Sequence, residues 1–108
     1  MTTYENELKK GRFVCSECQK CNKLVWPPSN FCNRCFNEVR WRPVSPVAKL
    51  VEFSKKDNVI FCIAEFENTI RIMGTLETES TKLDVGQPIR LAMCDYNGRE
   101  KFIFRLME

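Results

Sequence analysis

No histidine occurs anywhere in this chain of 108 residues. The side chain most used for general acid–base work near neutral pH is therefore missing, and so is the commonest ligand of catalytic zinc. Ser-His-Asp and Cys-His mechanisms within the chain are excluded outright. Long apolar runs are also missing: no stretch approaches the ~20 residues of a membrane span. The excess of one charge is small. Seventeen Lys and Arg against fourteen Asp and Glu leave +3, which permits an anionic partner but falls far short of a dedicated nucleic-acid binder. Only four glycines occur, Gly11, Gly74, Gly86 and Gly98, and each falls at an expected helix stop, bend or turn.

Cysteine, by contrast, is plentiful, with seven residues. Cys18-Gln19-Lys20-Cys21 is answered after ten residues by Cys32-Asn33-Arg34-Cys35. Each Cys-x-x-Cys turn delivers two thiolates to one side of a metal, and tetrahedral zinc needs four. The intervening residues suffice to run out, turn at Pro27-Pro28 and return. Cys15 offers an overlapping first knuckle, Cys15-Ser16-Glu17-Cys18. The residue after a knuckle adopts a left-handed or turn conformation, which Asn22 tolerates and Gln19 does not. The expected ligands are therefore Cys18, Cys21, Cys32 and Cys35, with Cys15 spare. Phe36, after the second knuckle, sits where glycine would be easier. A disulfide framework fits poorly: the cysteines are odd in number, Cys62 and Cys94 fall in apolar strand-like runs, and no signal-peptide pattern precedes them. Neither pair has the strand–helix setting of a thioredoxin-like redox motif. A reducing, cytoplasmic setting is expected.

The order of the remaining signals predicts a mainly β protein. Residues 1–13 hold a short polar helix, capped by Thr2 or Thr3, stopped at Gly11, with Tyr4 and Leu8 on one face for docking. Residues 14–42 form the ribbon, with Trp26, Phe31, Phe36 and Trp41 expected to cover the metal site. Residues 43–108 carry five strands: Val47–Phe53, Val59–Phe66, Ile70–Leu76, Ile89–Met93 and Phe102–Met107. Glu67-Asn68 and Asn97-Gly98 mark tight turns, and Gly74 a bulge or bend. Residues 77–82 are polar. A small five-stranded barrel follows, with the OB-fold first and an SH3-like barrel as the alternative.

A four-cysteine, rubredoxin-like ribbon containing Pro27-Pro28, followed directly by an OB-like barrel, resembles the acyl-CoA-associated zinc-ribbon/OB-fold family, long catalogued as a domain of unknown function (thirty-five). Leu83-Asp84-Val85-Gly86-Gln87-Pro88-Ile89 resembles that family's turn before the fourth strand, and Met73-Gly74-Thr75-Leu76 its bent third strand. The chain departs from the family pattern at Asn22, Ser29, Asn33 and Phe36, none of which removes a ligand; Ser29 replaces an arginine. The resemblance implies a structural zinc ion, iron being the other metal such a site accepts. It also implies a non-catalytic partner of thiolase-superfamily enzymes, similar to the small subunit bridging acetoacetyl-CoA thiolase and HMG-CoA synthase at the start of the mevalonate pathway. There the barrel would hold the pantetheine arm of an acyl-CoA, and the chemistry would sit in the partner enzyme. Lys55, Lys56, Arg71 and Arg90 are candidates for CoA phosphates, because lysine and arginine are the usual phosphate donors. The alternative is a single-stranded nucleic-acid binder, which would need a basic groove with exposed aromatics. An independent enzyme has only the spare thiols Cys15, Cys62 and Cys94 to draw on.

Overall fold

The computed structural model describes residues 2–80 and 82–107. Met1, Thr81 and Glu108, included in the expected helix, polar stretch and barrel, lie outside the described residues. Helix α1 covers Thr3–Lys9, shorter than expected. Thr2 closes a capping box with Glu5, so two backbone N–H groups at its start are satisfied. The chain leaves it through Gly11 at φ 81, a left-handed position that suits glycine. Tyr4 and Leu8, four residues apart, are its buried face.

Strands β1 (Val14–Cys18), β2 (Leu24–Val25) and β3 (Val39–Pro43) form a three-stranded sheet in the order β2-β1-β3. Five further strands follow: β4 (Val47–Lys56), β5 (Val59–Phe66), β6 (Ile70–Glu77), β7 (Pro88–Tyr96) and β8 (Glu100–Leu106). They run around a barrel in the order β4-β5-β6-β8-β7. β6 and β8 pair in parallel and the other neighbours antiparallel, the connectivity of the OB-fold. Two seams are short: β4–β7 and β6–β8 each run for three residue pairs. Hairpins at Asp57-Asn58 and Glu67-Asn68 place both turn residues at positive φ, as the tightest two-residue connections require.

Gly74 plays a different part from the one its position suggests. The β5–β6 register passes through Cys62↔Gly74 without a shift, and the irregularities fall instead between Leu50 and Glu52 and between Leu91 and Met93. What needs glycine is space. A Cβ there would lie 2.6 Å from the Phe102 carbonyl oxygen and 2.6 Å from Phe104 Cε2.

Alternate strand residues fill the barrel: Ile60, Cys62, Ala64 and Phe66 from β5, Ile70, Ile72 and Leu76 from β6, Phe102 and Phe104 from β8. The same core runs on into α1 and the ribbon through Tyr4, Leu8, Phe13 and Cys15. Phe13 joins the parts: its ring packs edge-on against Trp26 at 6.4 Å, Phe66 at 5.1 Å and Phe102 at 5.3 Å. Among the described residues no helix is long and apolar enough to cross a membrane.

Candidate metal centre and junction cleft

The ribbon sheet holds the two knuckles at one end. β1 finishes on Cys18, whose N–H donates to the Lys23 carbonyl at 2.9 Å while its own carbonyl accepts from Asn22 at 2.9 Å. The second knuckle repeats the pattern: Cys32 N donates to Asn37 O at 2.9 Å, and Phe36 N to Cys32 O at 3.0 Å. The residues that complete the two turns, Asn22 and Phe36, have φ of 57° and 59°. Buried Ser16 stitches the sheet to the Pro27-Pro28 turn, donating to Val25 O at 3.0 Å and accepting from Ser29 N at 3.3 Å.

These turns bring Cys18, Cys21, Cys32 and Cys35 together, with all four sulfurs within 4.8 Å of one another. Cys15 is not among them; it is fully buried in the main core. Backbone N–H groups point at the sulfurs, from Cys21 to Cys18 Sγ at 3.3 Å and from Arg34 to Cys32 Sγ at 3.4 Å. Hydrogen bonds from Asn37 hold the Cys35 thiol down at about 6, while hydrogen bonding with Cys35 pushes Cys21 up to about 12. Metal ligation replaces the protons of such thiols, because only the thiolate binds. The donor set, its compactness and the N–H···S contacts all fit a tetrahedral ion, and a bound ion would cross-link the two turns of a sheet too small for its own core.

Of the aromatics expected to cover the centre, only Trp41 does so, and two valines join it. Val25 and Val39 pack on the cysteines, with Trp41 beside them. Trp26 turns instead to α1, its ring 5.9 Å from that of Tyr4. Phe31 and Phe36 are not part of that cluster: they are 54% and 78% exposed. Phe36 completes the turn of the second knuckle, and Phe31 stands just before it, bridged to Glu38.

The four candidate phosphate ligands are not gathered into one site. Lys55 pairs across with Ile60, and Arg71 with Glu65. Five residues along β5 separate those levels by about 17 Å. Arg71 is also held by Glu65 at 3.0 Å. Arg90 lies on β7 opposite Arg105, and Lys56 at the hairpin end opposite Val59.

A concavity that periodicity could not reveal lies where α1, the ribbon and β7 meet. This cleft of about 550 Å³ is lined by Phe13, Trp41, Val44, Leu91 and Met93 together with Arg12 and Arg42. Arg12 is only loosely held by Glu7 at 3.7 Å, whereas Arg42 is fixed by Glu17 at 3.1 Å and Glu67 at 2.6 Å. The thiols of Cys62 and Cys94 are buried, and burial pushes each to about 11, so both stay protonated near neutral pH.

Residues 6–40 match the family model described as the ChsH2 rubredoxin-like zinc ribbon domain. The ribbon segment is thus similar to the ChsH2 type. The match spans the second half of α1, both knuckles and the start of β3. The whole chain is similar in fold to a solved structure named Ltp2-ChsH2(DUF35) aldolase, with a TM-score of 0.75 and 16% identity over 95% of this chain and 91% of that one. It is also similar to a DUF35-family protein of unknown function from Sulfolobus solfataricus, with a TM-score of 0.62 and 17% identity over 93% and 81%. No curated protein sequence matches the chain. The resemblance carried by the cysteine spacing is thus borne out at the ChsH2-type ribbon, and beyond it the likeness is one of fold.

Proposed function

We propose that this protein is a non-catalytic accessory subunit of an acyl-CoA-processing enzyme complex, with zinc holding its ribbon through Cys18, Cys21, Cys32 and Cys35. The observation that carries this reading is the ChsH2-type ribbon at residues 6–40, joined to a barrel as in the chain named Ltp2-ChsH2(DUF35) aldolase. That name pairs a ChsH2 chain with a second component, and by analogy this chain has an enzyme partner of the thiolase superfamily, of the acetoacetyl-CoA thiolase/HMG-CoA synthase or Ltp2 kind. The missing histidine and the protonated, buried spare thiols support placing the chemistry in that partner.

The junction cleft suits the arm of an acyl-CoA better than the dispersed cations do. It combines an apolar lining with arginine at Arg12, and its size lies within the ~300–1,000 Å³ of small-molecule sites. In this reading Phe13, Val44 and Leu91 exclude water from the pantetheine and acyl chain, Arg12 meets a phosphate, and Arg42 keeps the wall in place.

The test is a tagged purification of the full chain from its native cell extract at moderate salt, with mass spectrometry of co-eluting proteins and metal analysis of the eluate. Near-stoichiometric recovery of a thiolase-superfamily enzyme, with one zinc per chain, is the expected result. Recovery of nucleic acid or RNA-processing proteins without such an enzyme would overturn the reading.

A further inference from the structure

Phe36 belongs to neither hydrophobic cluster among the described residues. The residue is 78% exposed, and its backbone adopts φ 59, a region that bulky L-residues avoid. The equivalent turn of the first knuckle is made by Asn22 at φ 57, a residue suited to that conformation. The same fold element is therefore built twice, once at low cost and once with an aromatic that neither packs nor relieves the turn. Strain kept at an exposed position points to a use outside the chain. Phe31, on the same hairpin and bridged to Glu38, is 54% exposed.

The charges around the knuckles narrow the occupant. Lys20, Lys23 and Arg34 are exposed and make no ion pair among the described residues, while Arg40, Arg42, Arg71 and Arg105 are all paired. Residues 14–42 hold five basic and two acidic side chains, so the ribbon carries the whole net charge of +3. Four thiolates with a divalent ion would contribute −2, Cys18 and Cys32 buried and Cys21 and Cys35 half-buried, so the long-range field is weak; the outer contacts are the three unpaired cations, with Glu38 beside Lys20. Recognition at such a tip is short-range, an apolar anchor with individual carboxylates around it. A nucleic-acid strand would instead want a continuous basic track.

We propose that the second knuckle is the contact by which the ribbon docks on its partner enzyme, with Phe36 entering an apolar pocket whose rim supplies carboxylates to Lys20, Lys23 and Arg34. This rests on the accessory-subunit reading and adds to it the surface used. The test compares tagged wild type, Phe36→Asn and Phe36→Leu full chains in the purification above, scoring the co-eluting thiolase-superfamily enzyme, alongside thermal melts and metal release to a chelator. Phe36→Asn is expected to melt no lower and to lose metal no faster than wild type, yet to recover at least tenfold less enzyme. Phe36→Leu, which keeps an apolar anchor, is expected to retain most of the binding. Equal recovery by wild type and Phe36→Asn would overturn the docking surface and leave the accessory reading standing. Recovery of no such enzyme by wild type would bring down both, and nucleic acid retained through Phe36 would replace the enzyme as occupant.

Discussion

At the scale of single residues, two positions test how tightly the core is specified. Gly74 is squeezed against β8, so Gly74→Ala would drive a Cβ to 2.6 Å from a backbone oxygen and a ring carbon. The barrel cannot yield there without displacing Phe102 and Phe104, and overpacking of this kind costs about 1–3 kcal/mol. Urea denaturation of the variant is expected to show that loss; an unchanged midpoint would mean that β6 and β8 part easily. Tyr4 offers the opposite sign. Its ring packs among Phe13 and Trp26, but its hydroxyl is buried with no hydrogen-bond partner among the described residues. An unsatisfied buried hydroxyl costs about 1–3 kcal/mol, so Tyr4→Phe is expected to stabilise the protein by about 1 kcal/mol. A drop in stability on the same titration would reveal a partner for the hydroxyl, with the neighbouring Glu100 carboxyl, whose pKa burial raises, the first to suspect.

Among the elements, the ribbon depends most on something outside its own packing. Its cluster consists of Cys18, Val25, Cys32 and Val39, far less than the barrel buries. Structural four-thiolate sites supply folding energy outright, so chelation or Cys32→Ser is expected to melt the ribbon and leave the barrel folded. Both tryptophans, Trp26 and Trp41, lie in the ribbon segment, which makes the measurement direct: their emission should shift red while the far-ultraviolet β signal persists. Simultaneous loss of both signals would mean that barrel and ribbon are one cooperative unit. Arg42 is the polar tie between them, spanning Glu17 on β1 and Glu67 in the β5–β6 turn. Arg40 and then Arg42 hold the Glu17 carboxyl below the ordinary range, and Arg42 does the same for Glu67. A depressed carboxyl contributes stability that is complete above its unfolded value, near 4.5, and is lost as pH falls through the folded one. Arg42→Met should therefore lower the melting temperature at pH 7 and narrow the gap to wild type as the pH drops below about 4; a gap independent of pH would show that Arg42 contributes packing alone.

These elements also show what the sequence could and could not convey. The thiolate knuckles were legible because their chemistry fixes spacing, β5 because it is a long apolar run between turns, and β6 because its residues alternate in kind with the period of a half-buried strand. The ends of β4 and β7 were not. Lys55, Lys56, Asp95 and Tyr96 continue these strands past their apolar runs because cross-strand partners hold them, with Tyr96 also packing on the core. Phe31 and Phe36 were misplaced over the metal for the converse reason: apolarity alone says core, and only the turn geometry puts them outside. The junction cleft left no local signal, since its walls come from α1, the ribbon and β7, which meet only in the fold.

For the whole molecule the open contest is between an enzyme and a nucleic-acid partner. The outer face of β4–β6, where OB-folds commonly bind strands, does expose Phe61 and Met73. Its cations, however, are spent: Lys49 and Arg71 both lie on Glu65, at 3.8 and 3.0 Å, and Glu52 lines the groove beside Phe61 and Met73. Lys55 and Lys56 stand at the far end of the hairpin, too far along β5 to join a track with Arg71. Stacking on one aromatic, worth about 1–3 kcal/mol per base, cannot by itself hold a strand against that balance. Fluorescence anisotropy with a labelled oligothymidine is therefore expected to show at most the weak non-specific binding of about 10⁻⁴ M or poorer, vanishing between 50 and 200 mM salt. Micromolar binding that persists at 200 mM salt and is abolished by Phe61→Ala would move the function to this face, and the cleft and the knuckle would then need another account.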